Sequence, residues 1–230
     1  LIIVYLNSFI EMKLSIRNIH KYLSFFISLQ LLLWTVSGIY FSFNKIELVR
    51  GEQYRLPSSF SLNLDQLKGN HENISNFDVV NRVDQQILII SDPSGRKYLD
   101  SNGNPVSMLT VEQAKLTVKE NSILNPIDVF LIDQDRNGSE YRGRELPLYQ
   151  VLSLNKDQKS INVYVNPYSG KIVAIRSLQW KIWDLMWGFH IMDWQTRDNI
   201  NNFLLKVFSI LALISSVSGV LLFFRFRINP

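Results

Sequence analysis

YLSFFISLQLLLWTVSGIYFSF (Tyr22–Phe43) and VFSILALISSVSGVLLFF (Val207–Phe224) are two uncharged apolar runs near opposite ends of the chain, and they decide its architecture. At 22 and 18 residues, each is long enough to cross a hydrocarbon core of roughly 30 Å as a helix rising about 1.5 Å per residue. The region between them is polar. The sequence reads as a two-pass membrane protein with a tail over 1–21, spans over 22–43 and 203–224, and a second tail over 225–230.

The flanks orient the spans. Lys13, Arg17 and Lys21 precede the first run, Arg225 and Arg227 follow the second, and no acid lies among them. Basic, acid-free tails read as cytoplasmic, whereas Lys45, Arg50, Arg55, Arg197 and Lys206 are mixed with Glu47, Glu52, Asp193 and Asp198. The expected location is the bacterial cytoplasmic (inner) membrane, with both termini cytoplasmic and the central region periplasmic. The first run is longer than a signal-peptide core and lacks a small-x-small exit, so it reads as an anchor. Met12-Lys13 is a candidate translation start.

A formal charge of +4, without a block of five basic residues, gives no nucleic-acid signal. The absence of cysteine excludes disulfides, thiolate catalysis, zinc-thiolate sites and iron-sulfur clusters within the chain. No nucleophile elbow, phosphate loop, zinc-protease helix or dinucleotide fingerprint occurs, so no independent catalytic activity is expected.

The central region carries two similar hairpin signals. Ile87–Ile90, a Ser91-Asp92-Pro93-Ser94-Gly95 turn and Arg96–Asp100 resemble Ile161–Val165, an Asn166-Pro167-Tyr168-Ser169-Gly170 turn and Lys171–Ile175. Between them Thr110 reads as the N-cap of a helix, with Glu112 in its first turn and Val111, Ala114, Leu116 and Val118 as apolar positions up to Asn121. Asn125-Pro126 breaks that pattern, and strands are expected at Asp128–Ile132 and Leu148–Leu154. The result is a β-rich unit over 44–109 and an α+β unit over 110–176.

The order helix, strand, strand, hairpin over Thr110–Arg176, with V-E-Q-A at 111–114, L-P-L-Y-Q-V at 146–151 and Y-V-N-P-Y-S-G-K at 164–171, resembles a PepSY domain. Ile74–Ser107 reads as a degenerate first copy. With R-N-I-H-K-Y-L at 17–23 and W-T-V-S-G at 34–38, the chain from Met12 onward resembles the PepSY-associated transmembrane family of bacteria. The resemblance implies a membrane α+β fold in which two transmembrane helices flank an extracytoplasmic PepSY-like domain. It also implies b-type haem on span histidines, as in relatives that look like ferric-siderophore reductases, with His20 matching the histidine that opens the span.

On the residues alone, His20 reads either as a haem ligand through neutral imidazole or as an interfacial anchor beside Lys21. Trp180, Trp183, Trp187, His190 and Trp194 recur at steps of three and four, one stripe of an interfacial aromatic helix within 177–202, with Lys181 and Asp184 as its polar edge. Such a stripe reads as a tryptophan anchor, or as a cofactor site with Trp183 and Trp187 as walls and His190 as axial ligand. His20 and His190 are expected on opposite sides of the bilayer, about 30 Å apart. One haem would then need the same histidine from two copies, a homodimer or an equivalent partner subunit. In the second span the position matching His20 is Asn201, and His71 reads as solvated.

Thr35-Val36-Ser37-Gly38 and Ser216-Val217-Ser218-Gly219 repeat a small-residue motif. Ser37, Gly38, Ser218 and Gly219 are candidate helix-packing positions, and antiparallel spans would put the two motifs at opposite depths, free to serve a neighbouring copy. Asp133–Gly138 resembles the start of a calcium loop, but Arg144 stands where a bidentate Glu belongs, and a polar turn is the plainer reading. Arg142 and Arg144 are candidate binders of an anionic partner, or else pair with Glu140 and Glu145. Three functions follow. They are a haem-binding electron-transfer or accessory subunit linked to iron acquisition or respiration, a membrane-tethered PepSY module that binds or inhibits a periplasmic peptidase or envelope partner, and a structural subunit of a membrane complex. Membrane lipid is the surrounding partner in each.

Overall fold

The computed structural model describes residues 2–57, 74–83 and 85–227, with side chains from 15 to 224 of these. His71 lies outside the described residues. Two units are present: Asn44–Trp183, and the end segments up to Phe43 and from Asp184.

The end segments hold two long helices, α1 (Ile2–Phe43) and α5 (Phe203–Arg227). Ser15–Phe43 and Phe203–Phe224 are long and apolar enough to cross a membrane. The first helix begins upstream of the expected span because nothing before Tyr22 stops it: that stretch contains neither glycine nor proline. α1 and α5 run antiparallel. His20 lies beside Ser218, Ser24 beside Ser215, and the Phe26 and Phe208 rings stack at 5.7 Å. Phe25, Leu29 and Leu32 on α1, and Ile210, Leu213 and Val217 on α5, stay exposed, a surface suited to hydrocarbon as solvent.

The central unit is α+β. A one-turn helix α2 (Ile46–Val49) leads to strands β1 (Asn76–Arg82), β2 (Gln85–Asp92) and β3 (Gly95–Leu99), an antiparallel sheet in that order. Leu88, Ile90 and Leu99 with Val79 form its apolar face. No helix follows these strands before Thr110. Helix α3 (Val111–Asn121) precedes β4 (Asn125–Ile132), β5 (Leu148–Leu154), β6 (Ser160–Val165) and β7 (Ile172–Arg176), a second antiparallel sheet in chain order.

Local chemistry fixes these elements. Thr110 Oγ1 accepts from Gln113 N at 3.2 Å while Gln113 Oε1 accepts from Thr110 N at 2.9 Å, a reciprocal cap that satisfies two otherwise free amides at the α3 start. Val151, Val163 and Ile175 stand in register across β5, β6 and β7 and pack with Leu109, Ala114 and Val118. Each such apolar side chain contributes about 1.5–3 kcal/mol on burial. Tyr141, Leu148, Tyr164 and Ala174 form a separate buried cluster. β4 begins at Asn125, ahead of the expected Asp128, because it is an edge strand, where the missing N–H of Pro126 removes no ladder bond. Gly51, at φ +82°, closes onto this core: a Cβ there would lie 2.8 Å from Ile175 Cβ.

Candidate functional site: two serine-anchored histidines

His20 is held by α5. Its Nδ1 lies 3.1 Å from Ser215 O and 3.0 Å from Ser218 Oγ, while Ser24 Oγ is 2.7 Å from Ser215 Oγ. The carbonyl of Ser215 can only accept, and the Ser218 hydroxyl donates to that same carbonyl at 2.8 Å. His20 Nδ1 must therefore carry the proton, which leaves the lone pair on Nε2. Gly219 makes room for this ring, since a Cβ there would come 3.0 Å from His20 Cε1. The second small-residue motif thus serves a histidine of its own chain, whereas a Cβ added at Gly38 would meet nothing within 4 Å.

His190 repeats the arrangement on helix α4 (Leu178–Ile191). Its Nδ1 lies 2.8 Å from Ser37 Oγ. That hydroxyl also lies 2.7 Å from Leu33 O; with its proton given to that carbonyl, the oxygen accepts from the imidazole and Nε2 keeps the lone pair. Trp187 stacks on the ring at 6.2 Å and 11°, Phe41 meets it edge-on at 5.6 Å, and Trp34 lies 6.5 Å away. Burial holds the His190 imidazole below its ordinary pKa, favouring the neutral form. Trp183 lies one turn before Trp187 on α4 and is half-buried; Trp194 falls beyond the helix and is exposed.

The end of α4 explains several polar groups on apolar α1. A helix terminus leaves carbonyls without partners, and low-dielectric surroundings make that costly. Gln30 Nε2 donates to Phe189 O at 3.2 Å, Trp34 Nε1 to His190 O at 2.7 Å, and Asn202 Nδ2 to Ile191 O at 2.7 Å. Gln30 was not singled out from the sequence, although a polar side chain inside an apolar run was the available signal. Asp184, expected on the polar edge of α4, is instead buried and paired with Arg197 Nη1 at 2.9 Å. Gly188 admits the Arg197 stem, which a Cβ would meet at 2.7 Å. Asn201 lies just before α5, and the second imidazole held by a serine of α1 is that of His190 on α4.

These geometries suit metal ligation. A ligating histidine commonly gives its other ring N–H to an oxygen that fixes tautomer and orientation, and both rings do so here. Neither Nε2 makes a hydrogen bond among the described residues. No group of three or more His, Asp or Glu among the described residues is placed to hold a bare ion, including the Asp133–Gly138 turn. Comparison with family models, with curated proteins and with solved structures gave no match.

The two candidate arginines part company in the central unit. Arg142 donates to Ser139 O at 3.1 Å and lies over the Trp180 ring at 5.6 Å, which Arg176 approaches at 4.4 Å. Burial, then the neighbouring Arg144, depress the Arg176 pKa to about 10. Arg144 is exposed and lines a cleft of about 520 Å³. Glu140 pairs with Lys181 at 2.9 Å and Glu145 with Arg96.

Proposed function

We propose that the chain is a two-pass protein of the bacterial cytoplasmic membrane that binds b-type haem through His20 and His190 and acts as an electron-transfer or accessory subunit. Both termini are cytoplasmic in this reading, and 44–202 is a periplasmic, PepSY-like region. The observation that carries it is the shared setting of the two imidazoles: each Nδ1 lies within 3.1 Å of a serine oxygen, and neither Nε2 makes a hydrogen bond among the described residues, at two levels of α1. His20 and Ser37 are 17 positions apart, or about 25 Å along the helix at 1.5 Å per residue. One imidazole per level supports a homodimer, or an equivalent membrane subunit, in which each of two chains would contribute a histidine to one group.

Haem supplies one-electron exchange when bound. His20 and His190 would hold the group, Ser215, Ser218 and Ser37 hold the two rings, and Trp34, Phe41 and Trp187 surround His190 and would limit water there. A role in iron acquisition or respiration belongs to the same proposal.

The test is the absorption spectrum of detergent-purified protein from haem-replete cells. A Soret band is expected, and His20→Ala and His190→Ala should each remove about half of the haem if two equivalent levels bind it. A spectrum without a Soret band, or full retention in both variants, overturns the reading. A periplasmic reporter such as alkaline phosphatase should be active inserted near Gly103 and inactive at the C-terminal end; the reverse overturns the orientation.

A further inference from the structure

The cleft beside Arg144 lies between the two sheets of the central unit, and its lining has an unusual donor balance. Two ion pairs cross it, Lys171 with Asp78 at 3.2 Å and Arg96 with Glu145. They consume both carboxylates and two of the three cations that line it. Arg144 is the third, and its guanidinium makes no hydrogen bond or ion pair among the described residues.

Two hydroxyls add to this surplus. Tyr98 OH accepts from Asn166 Nδ2 at 3.0 Å, and Ser169 Oγ accepts from Lys171 N at 3.2 Å. Each of those oxygens is thus engaged as an acceptor, while its own proton has no acceptor among the described residues. Ser169 is only 2% exposed, so its proton lacks a ready supply of bulk water. Arg144, Tyr98 and Ser169 thus keep donor capacity to spare, and neither carboxylate of the lining is free. The rest of the lining includes apolar Phe77, Ile89, Leu148 and Val173. A volume of about 520 Å³ falls in the range of ligand sites.

We infer that this cleft binds a carboxylate carried on an apolar body, as at the C-terminal end of a short apolar peptide. The carboxylate faces Arg144, Tyr98 and Ser169, because a guanidinium fork matches its two oxygens and the hydroxyls supply further donors. The apolar residues before it lie against Phe77, Leu148 and Val173. The two ion pairs are already satisfied and act as rails that leave the net positive charge at Arg144. The inference is independent of haem and of the two histidines.

The experiment uses the full chain in lipid nanodiscs, with empty nanodiscs as the blank, titrated calorimetrically with Ac-Leu-Val-Phe as the free acid, as its C-terminal amide, and with inorganic phosphate. The free acid should bind, and the amide should bind about tenfold more weakly or worse, the usual loss when a charged hydrogen-bond partner is removed. Arg144→Ala should cost the free acid a similar factor, Arg144→Lys less, and Tyr98→Phe a smaller loss that the amide does not show. Arg144 is exposed, so its variants test binding separately from folding. Equal binding of acid and amide, no binding of the acid, or full affinity in Arg144→Ala overturns the inference. Phosphate binding as tightly as the acid overturns the apolar-peptide class, and His20→Ala should leave every titration unchanged.

Discussion

Ser218 Oγ lies 3.0 Å from His20 Nδ1 across 198 residues of sequence, and its own proton is already given to Ser215 O. The same logic governs Ser37 and His190, with one difference. His20 has a second acceptor in the Ser215 carbonyl at 3.1 Å, whereas Ser37 Oγ is the acceptor recorded for the His190 side chain.

Tautomers should follow that difference. Side-chain 15N spectra of the haem-free protein should report Nδ1–H for both histidines. Ser37→Ala should shift His190 toward Nε2–H and cost about 1 kcal/mol of stability, while Ser218→Ala should leave His20 largely Nδ1–H. A wild-type spectrum dominated by Nε2–H at either ring would refute the assignment without any reference to haem.

Packing should separate the two glycines. Gly219→Leu drives a side chain into the space of the His20 ring and should destabilise the α1/α5 pair by about 1–3 kcal/mol. Gly38 faces open space, so Gly38→Leu should leave the thermal midpoint of the detergent-solubilised monomer unchanged. Cross-linking in membranes then asks whether Gly38 meets a second copy. Equal thermal midpoints for the two variants would mean that Gly219 does not set the helix contact.

Acid should weaken the end unit through His190. Burial lowers its folded-state pKa, so the unfolded chain takes up more protons as pH falls through the ordinary value of about 6.5. The stability tied to the neutral ring is complete above that value and is lost on acidification towards the lower folded pKa. The thermal midpoint should therefore drop between about pH 7 and pH 5, and His190→Gln should flatten the drop. An identical acid limb in the variant would assign the effect to other groups.

In the central unit, Gly51→Ala meets two obstacles: a left-handed backbone at φ +82° and Ile175 Cβ at 2.8 Å. The expected loss is about 2 kcal/mol or more, read as a lower denaturation midpoint with unchanged far-UV dichroism of the folded state. Retention of the parent midpoint would show that the 49–56 segment can lift from the core.

Elements with a strong local signal were legible in the sequence. Leu148–Leu154 is found with the expected bounds, and Thr110 caps α3, because turn and cap chemistry act over a few residues. The apolar runs also emerge as long helices. What stayed hidden was long-range pairing. Asp184 looked like a solvated edge until Arg197 came back to it, and nothing in the Ser-Gly motifs showed that Ser37 would meet His190 or that Ser218 and Gly219 would meet His20. Periodicity reports which face of a helix is apolar, but it carries no information about what the polar exceptions meet.

The order of synthesis gives that pairing a further meaning. α1 emerges first, yet the acceptors of His20 Nδ1 lie on α5, and Gln30 and Trp34 donate to the end of α4. Until α4 and α5 have been made, His20, Gln30 and Trp34 of α1 lack these partners. A product truncated after Trp183 keeps the central unit but leaves α1 without the partners that α4 and α5 supply. The first helix is thus completed by elements that follow the central unit, in part by the same hydrogen bonds that hold the two imidazoles.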